Sequence, residues 1–346
     1  MSMARYGIGI IGTGWVAGAH IETFRKIPGC EFVAVCSRDQ RRAQAYIDQM
    51  NLGDAGAYDN LKDFLAHPGL DIVCIATPHP EHPAQVIAAA KAGKHILIEK
   101  PVALNARDLG KMVAAVNAAG VKTSVCFELH WNGMFRNMKA MLDQKLIGNV
   151  FYGESSYYHG IGPWYGQWKW NIKEDMAGSA ELTAGCHALD GLIWLMGSRV
   201  VEVAAMSNTS PNNPLKYEYD PNGVAILRFE NGAIGKVGTS VECRMPYTFP
   251  VMLQGEKGAL YNDKISLTQW PGTRGWATVP SALPDSGDVH DHPYQGQFEH
   301  FIDSINKGKS PENDLNYAAH THEVCFAIQQ ANKTRKTVKV KRTPGT

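Results

Sequence analysis

The first third of the chain alternates short apolar runs with helical patterns, and this alternation restricts the fold more than any other feature. Residues 6–11, 32–36, 72–76, 95–98 and 123–127 read as strands. The stretches between them, 20–26, 40–50, 60–66, 83–92 and 106–119, have helical periodicity. Such alternation predicts a parallel sheet with helices on both faces. The strands are nearly continuous in apolar residues, as expected where both faces of a sheet are covered.

Beyond residue 127 the pattern changes. A helical segment at 137–144 and a strand at 150–158 lead into a Gly- and Trp-rich loop. Ser179 then opens a strong helix: it can cap the first turn, Leu182, Leu189, Leu192, Ile193 and Leu195 form an apolar face, and Gly197 supplies the stop. "AILRFENGAIGKV" signals a hairpin, with Asn231-Gly232 able to take positive φ angles, and "FPVMLQGEKGALYN" suggests another. Helices at 295–306 and 318–333 close the chain. Consecutive strands without intervening helices predict an open, mostly antiparallel sheet. The expected architecture is thus α/β, a doubly wound parallel sheet over residues 1–126 followed by an α+β domain over 127–346.

Bulk properties exclude several classes. With 346 residues, 44% hydrophobic and 19% charged, the chain is long enough for two cored domains. A net charge of +1 offers no field to steer nucleic acid or an anionic membrane, and the short basic "KVKR" near the C-terminus reads as a solvated end. No apolar stretch reaches spanning length, and "MSMARYG" lacks the apolar core of a secretory signal. The seven cysteines are scattered, odd in number and without metal-site spacing, so no metal is expected and a reducing cytoplasm is.

"YGIGIIGTGWVAGAH" places Gly12, Gly14 and Ala17 in a G-x-G-x-x-A pattern between a strand and a helix. The first glycine permits a tight turn, the second lets a pyrophosphate approach the backbone, and the third small residue lets helix and strand pack closely. The helix start offers N–H groups and a positive dipole end to phosphates. Gly12, Thr13, Gly14, Trp15 and Val16 are therefore assigned to a dinucleotide. After the second strand, the acid that would bind the adenine-side ribose hydroxyls is missing. "AVCSRDQRR" puts Ser37 and Arg38 there instead, which accept a 2′-phosphate where a carboxylate would repel it. The cofactor reading is NAD or NADP, leaning to NADP, with Arg41 and Arg42 on the solvated face of the next helix.

By "ATPHPEH" and "GKHILIEKPVAL" the chain resembles the glucose–fructose oxidoreductase/inositol dehydrogenase (Gfo/Idh/MocA) family. The similarity also includes the opening glycine loop and a late Gly185-x-His187-x-x-Asp190, and it extends over nearly the whole chain. The resemblance implies an N-terminal Rossmann domain, a C-terminal domain with an open antiparallel sheet, and nicotinamide-dependent oxidation of sugars or polyols. It implies that Lys100 touches the substrate hydroxyl or nicotinamide ribose and that Glu99 lies near the cofactor. Thr77, Pro78 and His82 of the turn, and Glu128 after the last strand of the sheet, are assigned to the cofactor in the same way. Relatives carry Asp where Thr183 stands, and many carry arginine where His130 stands.

Thr183, His187 and Asp190 are spaced to share one helix face. His187 can take a proton from a secondary alcohol as hydride leaves the same carbon, and Asp190 can orient its ring. A hydroxyl at Thr183 cannot act as the missing carboxylate base, so proton transfer rests on Lys100, His187 or water. Trp164 and Trp168, in "YHGIGPWYGQWKWNIK", offer faces for stacking on sugar C–H bonds, and Lys173 a hydroxyl ligand. "HDHPYQGQ", residues 290–297, reads as a capping loop or pocket wall. The expected activity is an NAD(P)-dependent dehydrogenase of a sugar, glycoside or polyol, with Lys100 and His187 catalytic and Thr183, Asp190, Trp164, Trp168 and Lys173 at the substrate. The expected protein is a homodimer or homotetramer that binds neither nucleic acid nor membrane. Two alternatives stay open: glycoside cleavage through transient oxidation and elimination, and a nucleotide-binding sensor without chemistry.

Overall fold

Ile8, Ile10, Ile72, Val73, Cys74, Ile96, Leu97 and Ile98 have no solvent exposure, which fixes their strands at the centre of a sheet covered on both faces. The computed structural model describes residues 6–272, 274–284 and 292–345. They form two compact units.

The first unit comprises Met1–Cys126 with Tyr294–Ala319 and Thr343–Thr346. Its sheet has six strands: β1 (Tyr6–Ile11), β2 (Cys30–Cys36), β3 (Gly56–Tyr58), β4 (Leu70–Ile75), β5 (His95–Ile98) and β6 (Thr123–Val125). Their order is β3-β2-β1-β4-β5-β6 and every pairing is parallel, the doubly wound dinucleotide-binding arrangement. The three-residue edge strand β3 is too short to show a period in the sequence. Helices Trp15–Phe24, Gln40–Met50, Leu61–Leu65, His82–Lys91 and Ala106–Ala119 connect the strands. The first begins five residues earlier than its periodicity suggests, because Gly18 and Val16 dilute the helical signal. Asp39, Asn60 and Asn105 cap the helices that follow them through their side chains.

One boundary is corrected. Residues 294–319 were expected in the second domain but belong to the first unit. Gln297 Nε2 donates to the carbonyl of Val125 (2.9 Å) and to Ser124 (3.0 Å), and Phe298 and Phe301 are buried in the core cluster of β1 and β2. An apolar helical face does not reveal in sequence which sheet it will cover.

The second unit, Phe127–Pro293 with His320–Arg342, contains a nine-stranded sheet. Its strands are β7 (Val150–Tyr158), β8 (Val200–Asn208), β9 (Asn222–Phe229), β10 (Ile234–Ser240), β11 (Val251–Gly255), β12 (Gly258–Tyr261), β13 (Lys264–Leu267), β14 (Ala277–Thr278) and β15 (Val338–Lys339). The order is β14-β13-β12-β11-β7-β10-β9-β8-β15, antiparallel except for β10 beside β7. In the β9–β10 hairpin Gly232 takes φ +89°, while Asn231 accepts the Ala233 N–H through its side chain. The Ser179 hydroxyl accepts the Leu182 N–H at 3.2 Å. The helix it starts is not uniform: a π-helical turn, Glu181–Gly185, runs into the α-helix Cys186–Met196, which ends at Gly197 with φ +59°. Gly153 on β7 lets Leu192 and Met196 of that helix approach the sheet, where a Cβ would lie 2.7 Å from the Met196 sulfur.

Candidate active site

The end of β1 sets the geometry of the first unit's loop. Gly12 has φ +105°, and a Cβ there would lie 2.4 Å from the Ala76 carbonyl oxygen, so the turn excludes any other residue. Gly14 differs: among the described residues, nothing lies within 4 Å of where its Cβ would be. Internal packing does not require glycine at that position, whereas a pyrophosphate approaching the backbone does. Ala17 is fully buried against the sheet. Among the described residues no side chain caps the helix that starts at Trp15, and its first turn holds no acid, leaving that end open to an anion. Val16 is half-buried and Trp15 exposed. These features fit a dinucleotide.

Ser37 uses its backbone N–H on the Tyr58 carbonyl (3.0 Å), and Arg38 is exposed beyond β2. Asp39 accepts the Arg42 N–H at 2.7 Å, so this acid is engaged at the terminus of its own helix. Arg42 is exposed, as expected of a solvated helix face, and its Nε also donates to the Thr13 hydroxyl at 2.8 Å, placing a guanidinium on the glycine loop.

Buried polar contacts hold the two sequence motifs of this unit. The Thr77 hydroxyl donates to Gln85 Oε1 (2.7 Å), and Pro78 leads into the 3-10 turn His79–Glu81. His82, assigned to the cofactor from sequence, is fully buried, with Nε2 2.8 Å from the Thr77 carbonyl and Nδ1 2.9 Å from that of Pro101. Burial lowers its proton affinity despite those two carbonyls. The ring ties the Thr77 turn to the Lys-Pro segment; it is a brace, which corrects the cofactor assignment. Glu99 is buried with Oε1 2.9 Å from His20 Nε2, and its Oε2 accepts the Lys100 N–H at 3.2 Å. Burial pushes the Glu99 carboxyl up, but the His20 hydrogen bond and the charges of His20 and Lys100 outweigh it and hold it below its usual value. Lys100 stands half-buried after β5, before a cis bond to Pro101. The sequence reading missed His20, a single histidine on an apolar helix; the pairing that gives it a role spans 79 residues.

In the second unit, Glu128 opens the 3-10 turn Glu128–Trp131 and is buried. Its Oε2 lies 3.3 Å from His187 Nδ1 and its Oε1 3.4 Å from His292 Nε2. Asp190 was expected to orient His187 and meet substrate, and the structure corrects both roles. Its Oδ2 lies 2.8 Å from His130 Nε2, its Oδ1 accepts from the Thr321 hydroxyl at 2.9 Å, and it has no solvent exposure. His130 stacks on Trp194, ring centroids 4.4 Å apart, completing a buried structural network.

Thr183 is buried one turn before His187, and its hydroxyl donates to Asn171 Oδ1 at 2.9 Å. Its hydroxyl hydrogen is thereby directed to that amide oxygen. Asn171 is a further residue the sequence reading missed. Around His187 the sheet supplies Tyr157, near-parallel with centroids 6.2 Å apart, and Phe249, edge-on at 6.5 Å. Tyr157 also hydrogen-bonds His159 Nδ1 at 3.0 Å. Alternation along β7 predicts an inward Tyr157, but not the histidine it meets.

The loop residues separate. Trp164 is 71% exposed, and Trp168 is half-buried. Lys173, expected as a hydroxyl ligand, is exposed and ion-paired with Glu218. Of the stretch 290–297, residues 290 and 291 lie outside the described residues. None of the seven cysteines forms a disulfide. Among the described residues no helix is long and apolar enough to cross a membrane.

A six-stranded parallel sheet with a glycine loop open at Gly14 defines the first unit as a dinucleotide-binding fold. The model of an oxidoreductase family with an NAD-binding Rossmann fold, Gfo/Idh/MocA, matches residues 6–127, and that of the family's C-terminal domain matches residues 135–261. The chain belongs to this family of oxidoreductases. It is 26% identical over 306 residues to an inositol 2-dehydrogenase/D-chiro-inositol 3-dehydrogenase of Halalkalibacterium halodurans, covering 88% of this chain and 84% of that protein. It is likewise 26% identical over 291 residues to a trans-1,2-dihydrobenzene-1,2-diol dehydrogenase of Mus musculus, covering 82% and 79%. A solved structure of levoglucosan dehydrogenase in complex with NADH and L-sorbose superimposes with a TM-score of 0.87 at 20% identity, over 98% of this chain and 100% of that one.

Gly14→Val fills the open cradle without meeting protein atoms. The variant is expected to fold normally and to lose nicotinamide dinucleotide binding in a fluorescence titration. Undiminished affinity in the folded variant would remove the phosphate assignment.

Proposed function

We propose that this protein is an NAD(P)-dependent dehydrogenase acting on a secondary alcohol of a sugar, glycoside or polyol. The observation that carries the reading is Lys100, held just beyond the fully buried Ile96, Leu97 and Ile98 by the Glu99–His20 pair. The inositol and diol dehydrogenases among its relatives support a polyhydroxylated substrate. A bound nicotinamide supplies the hydride acceptor. Lys100 polarises or deprotonates the reacting hydroxyl, and His187 is the second proton-handling group. Thr183, whose hydroxyl donates a hydrogen bond to Asn171, serves the substrate as an uncharged polar group and not as a base. Lys100→Met keeps much of the volume and removes the charge. Turnover is expected to fall by roughly 10² or more with cofactor still bound, the scale of a positioned acid–base group. Near-normal turnover on the best substrate would overturn the assignment.

The ribose end favours NADP in this reading. Asp39 is occupied as a helix cap, while Arg38 is exposed and Arg42 reaches Thr13. Two guanidinium groups beside the glycine loop and the end of β2 suit a 2′-phosphate. Direct titration is expected to show tighter binding of NADP than NAD, and the reverse order would overturn this choice.

The protein is also proposed to be a homo-oligomer joined through the outer face of the nine-stranded sheet. Met206 pairs across strands with Val224, and Ala204 with Ile226, opposite the buried Ala225, Leu227 and Phe229. Met206 is 84% and Ile226 58% exposed, a contiguous apolar patch that a second copy would cover. Light scattering at micromolar concentration is expected to give a dimer or tetramer, and Ile226→Asp to dissociate it; a monomeric native protein would contradict this.

A further inference from the structure

We propose that His20 Nε2, Glu99 Oε1 and Cys126 Sγ form a binding site for a zinc-like divalent cation at the carboxyl ends of β5 and β6. The inference departs from the expectation, drawn from cysteine spacing, that the chain binds no metal. It does not depend on the dehydrogenase reading.

The sheet creates the cluster. β5 and β6 run parallel with Ile98 paired to Val125, and the Cys126 N–H donates to the Ile98 carbonyl at 2.9 Å. Glu99 and Cys126, which follow the two strands, are thereby brought together. The helix Trp15–Phe24 lays His20 onto them, with Nε2 2.9 Å from Glu99 Oε1 and 3.9 Å from Cys126 Sγ. One ligand atom from each residue lies within 4.8 Å of the other two. Tetrahedral zinc bonds hold nitrogen and oxygen ligands about 3.3 Å apart and nitrogen and sulfur about 3.5 Å apart. One separation must open and the other close by about 0.4 Å, a rotation of side chains that leaves the backbone in place. Tyr294 and Phe298 pack nearly perpendicular to the His20 ring and fix its plane.

The chemistry of the three groups selects the ion. All three residues are buried, where an unbalanced charge is costly. The Glu99 carboxyl is held below its usual value and is ionised, and the Cys126 thiol hydrogen-bonds to it. A divalent ion displaces the thiol proton to solvent. The resulting thiolate and the carboxylate together balance its two charges, so the loaded cluster is neutral. The imidazole binds through Nε2 and carries its proton on Nδ1. That shift breaks no contact, because Nδ1 has no hydrogen-bond partner among the described residues. Thiolate and imidazole favour zinc over magnesium or calcium, which take oxygen ligands. Three protein ligands leave the fourth position to water, the arrangement of an exchangeable ion. Entry is from the Glu99 side, since that side chain keeps 10% exposure while His20 has none. The bound ion would join the helix that begins at the glycine loop to the strand end that presents Lys100.

The test is titration of the reduced, chelator-stripped protein with Co²⁺ alone and with Zn²⁺ alone. The native protein is expected to take one equivalent of Co²⁺ with a near-ultraviolet thiolate-to-cobalt band, which Zn²⁺ then abolishes by displacement. Cys126→Ala and Cys126→Ser are each expected to lose the band and to bind Zn²⁺ about 10²-fold or more weakly, since even an outer-shell partner is worth up to that factor. One equivalent of Zn²⁺ should raise the thermal midpoint of the native protein and not that of either variant. Absence of the cobalt band in the native protein overturns the proposal, whether or not the variants fold. A band or a zinc-dependent midpoint that survives in a folded Cys126 variant overturns it too, by placing the ion elsewhere. No substrate or nicotinamide enters the measurement, so its failure leaves the dehydrogenase reading standing.

Discussion

A carboxylate carried into a protein interior must be paired, and the contact between Glu99 and His20 is the pairing on which the first unit's site depends. The preceding residues Ile96, Leu97 and Ile98 have no exposure, and burying each contributes roughly 1.5–3 kcal/mol. That gain fixes β5 in the middle of the sheet and leaves no freedom to swing its end outward. Glu99 therefore enters the interior with it, at a desolvation cost of several kcal/mol. His20, on the helix after the glycine loop, offsets that cost through a 2.9 Å contact. The same contact joins the helix that begins at the phosphate loop to the strand end that presents Lys100. His82 forms a second join, between Thr77 and Pro101. Loop, turn and lysine are thus held by buried polar contacts between segments of sequence that look independent.

Much of this unit was legible in the sequence because its determinants are local. Periodicity located the helices Gln40–Met50 and Ala106–Ala119 and the strands Tyr6–Ile11 and His95–Ile98 with their observed bounds. Gly12 was legible for the same reason, since a turn needing φ +105° admits little else. What the sequence concealed was pairing at a distance. His20 carried no assignment in the sequence, and the solvated Arg42 gave no sign of Thr13; the fold brings Glu99 to the one and the glycine loop to the other. The helix Tyr294–Asn306 was recognised as a helix but assigned to the wrong unit, because amphipathicity states that a face is buried and not against what.

The same limitation explains the second unit, where the sequence displayed the polar side chains but not their partnerships. His187 and Asp190, three apart on a helix, suggest an imidazole with its own carboxylate. Neighbouring positions on a helix face bring two side chains near each other, but each bonds to the best partner that packing supplies. Asp190 points to His130 and Thr321, 60 and 131 residues away in sequence, and His187 meets Glu128. The π-helical turn Glu181–Gly185 adds to this by shifting Thr183 from the register that a regular helix would give. A buried imidazole and a buried carboxylate are each costly alone, so exchanging partners between two such pairs is stable only when every member finds one. The structure meets that condition twice within a single unit: one pair is closed off by Trp194 and Thr321, and the other includes His187, which lies beside Tyr157. The pair enclosed by Trp194 and Thr321 suits a structural role, because a group that is to exchange a proton with a ligand must lie within that ligand's reach.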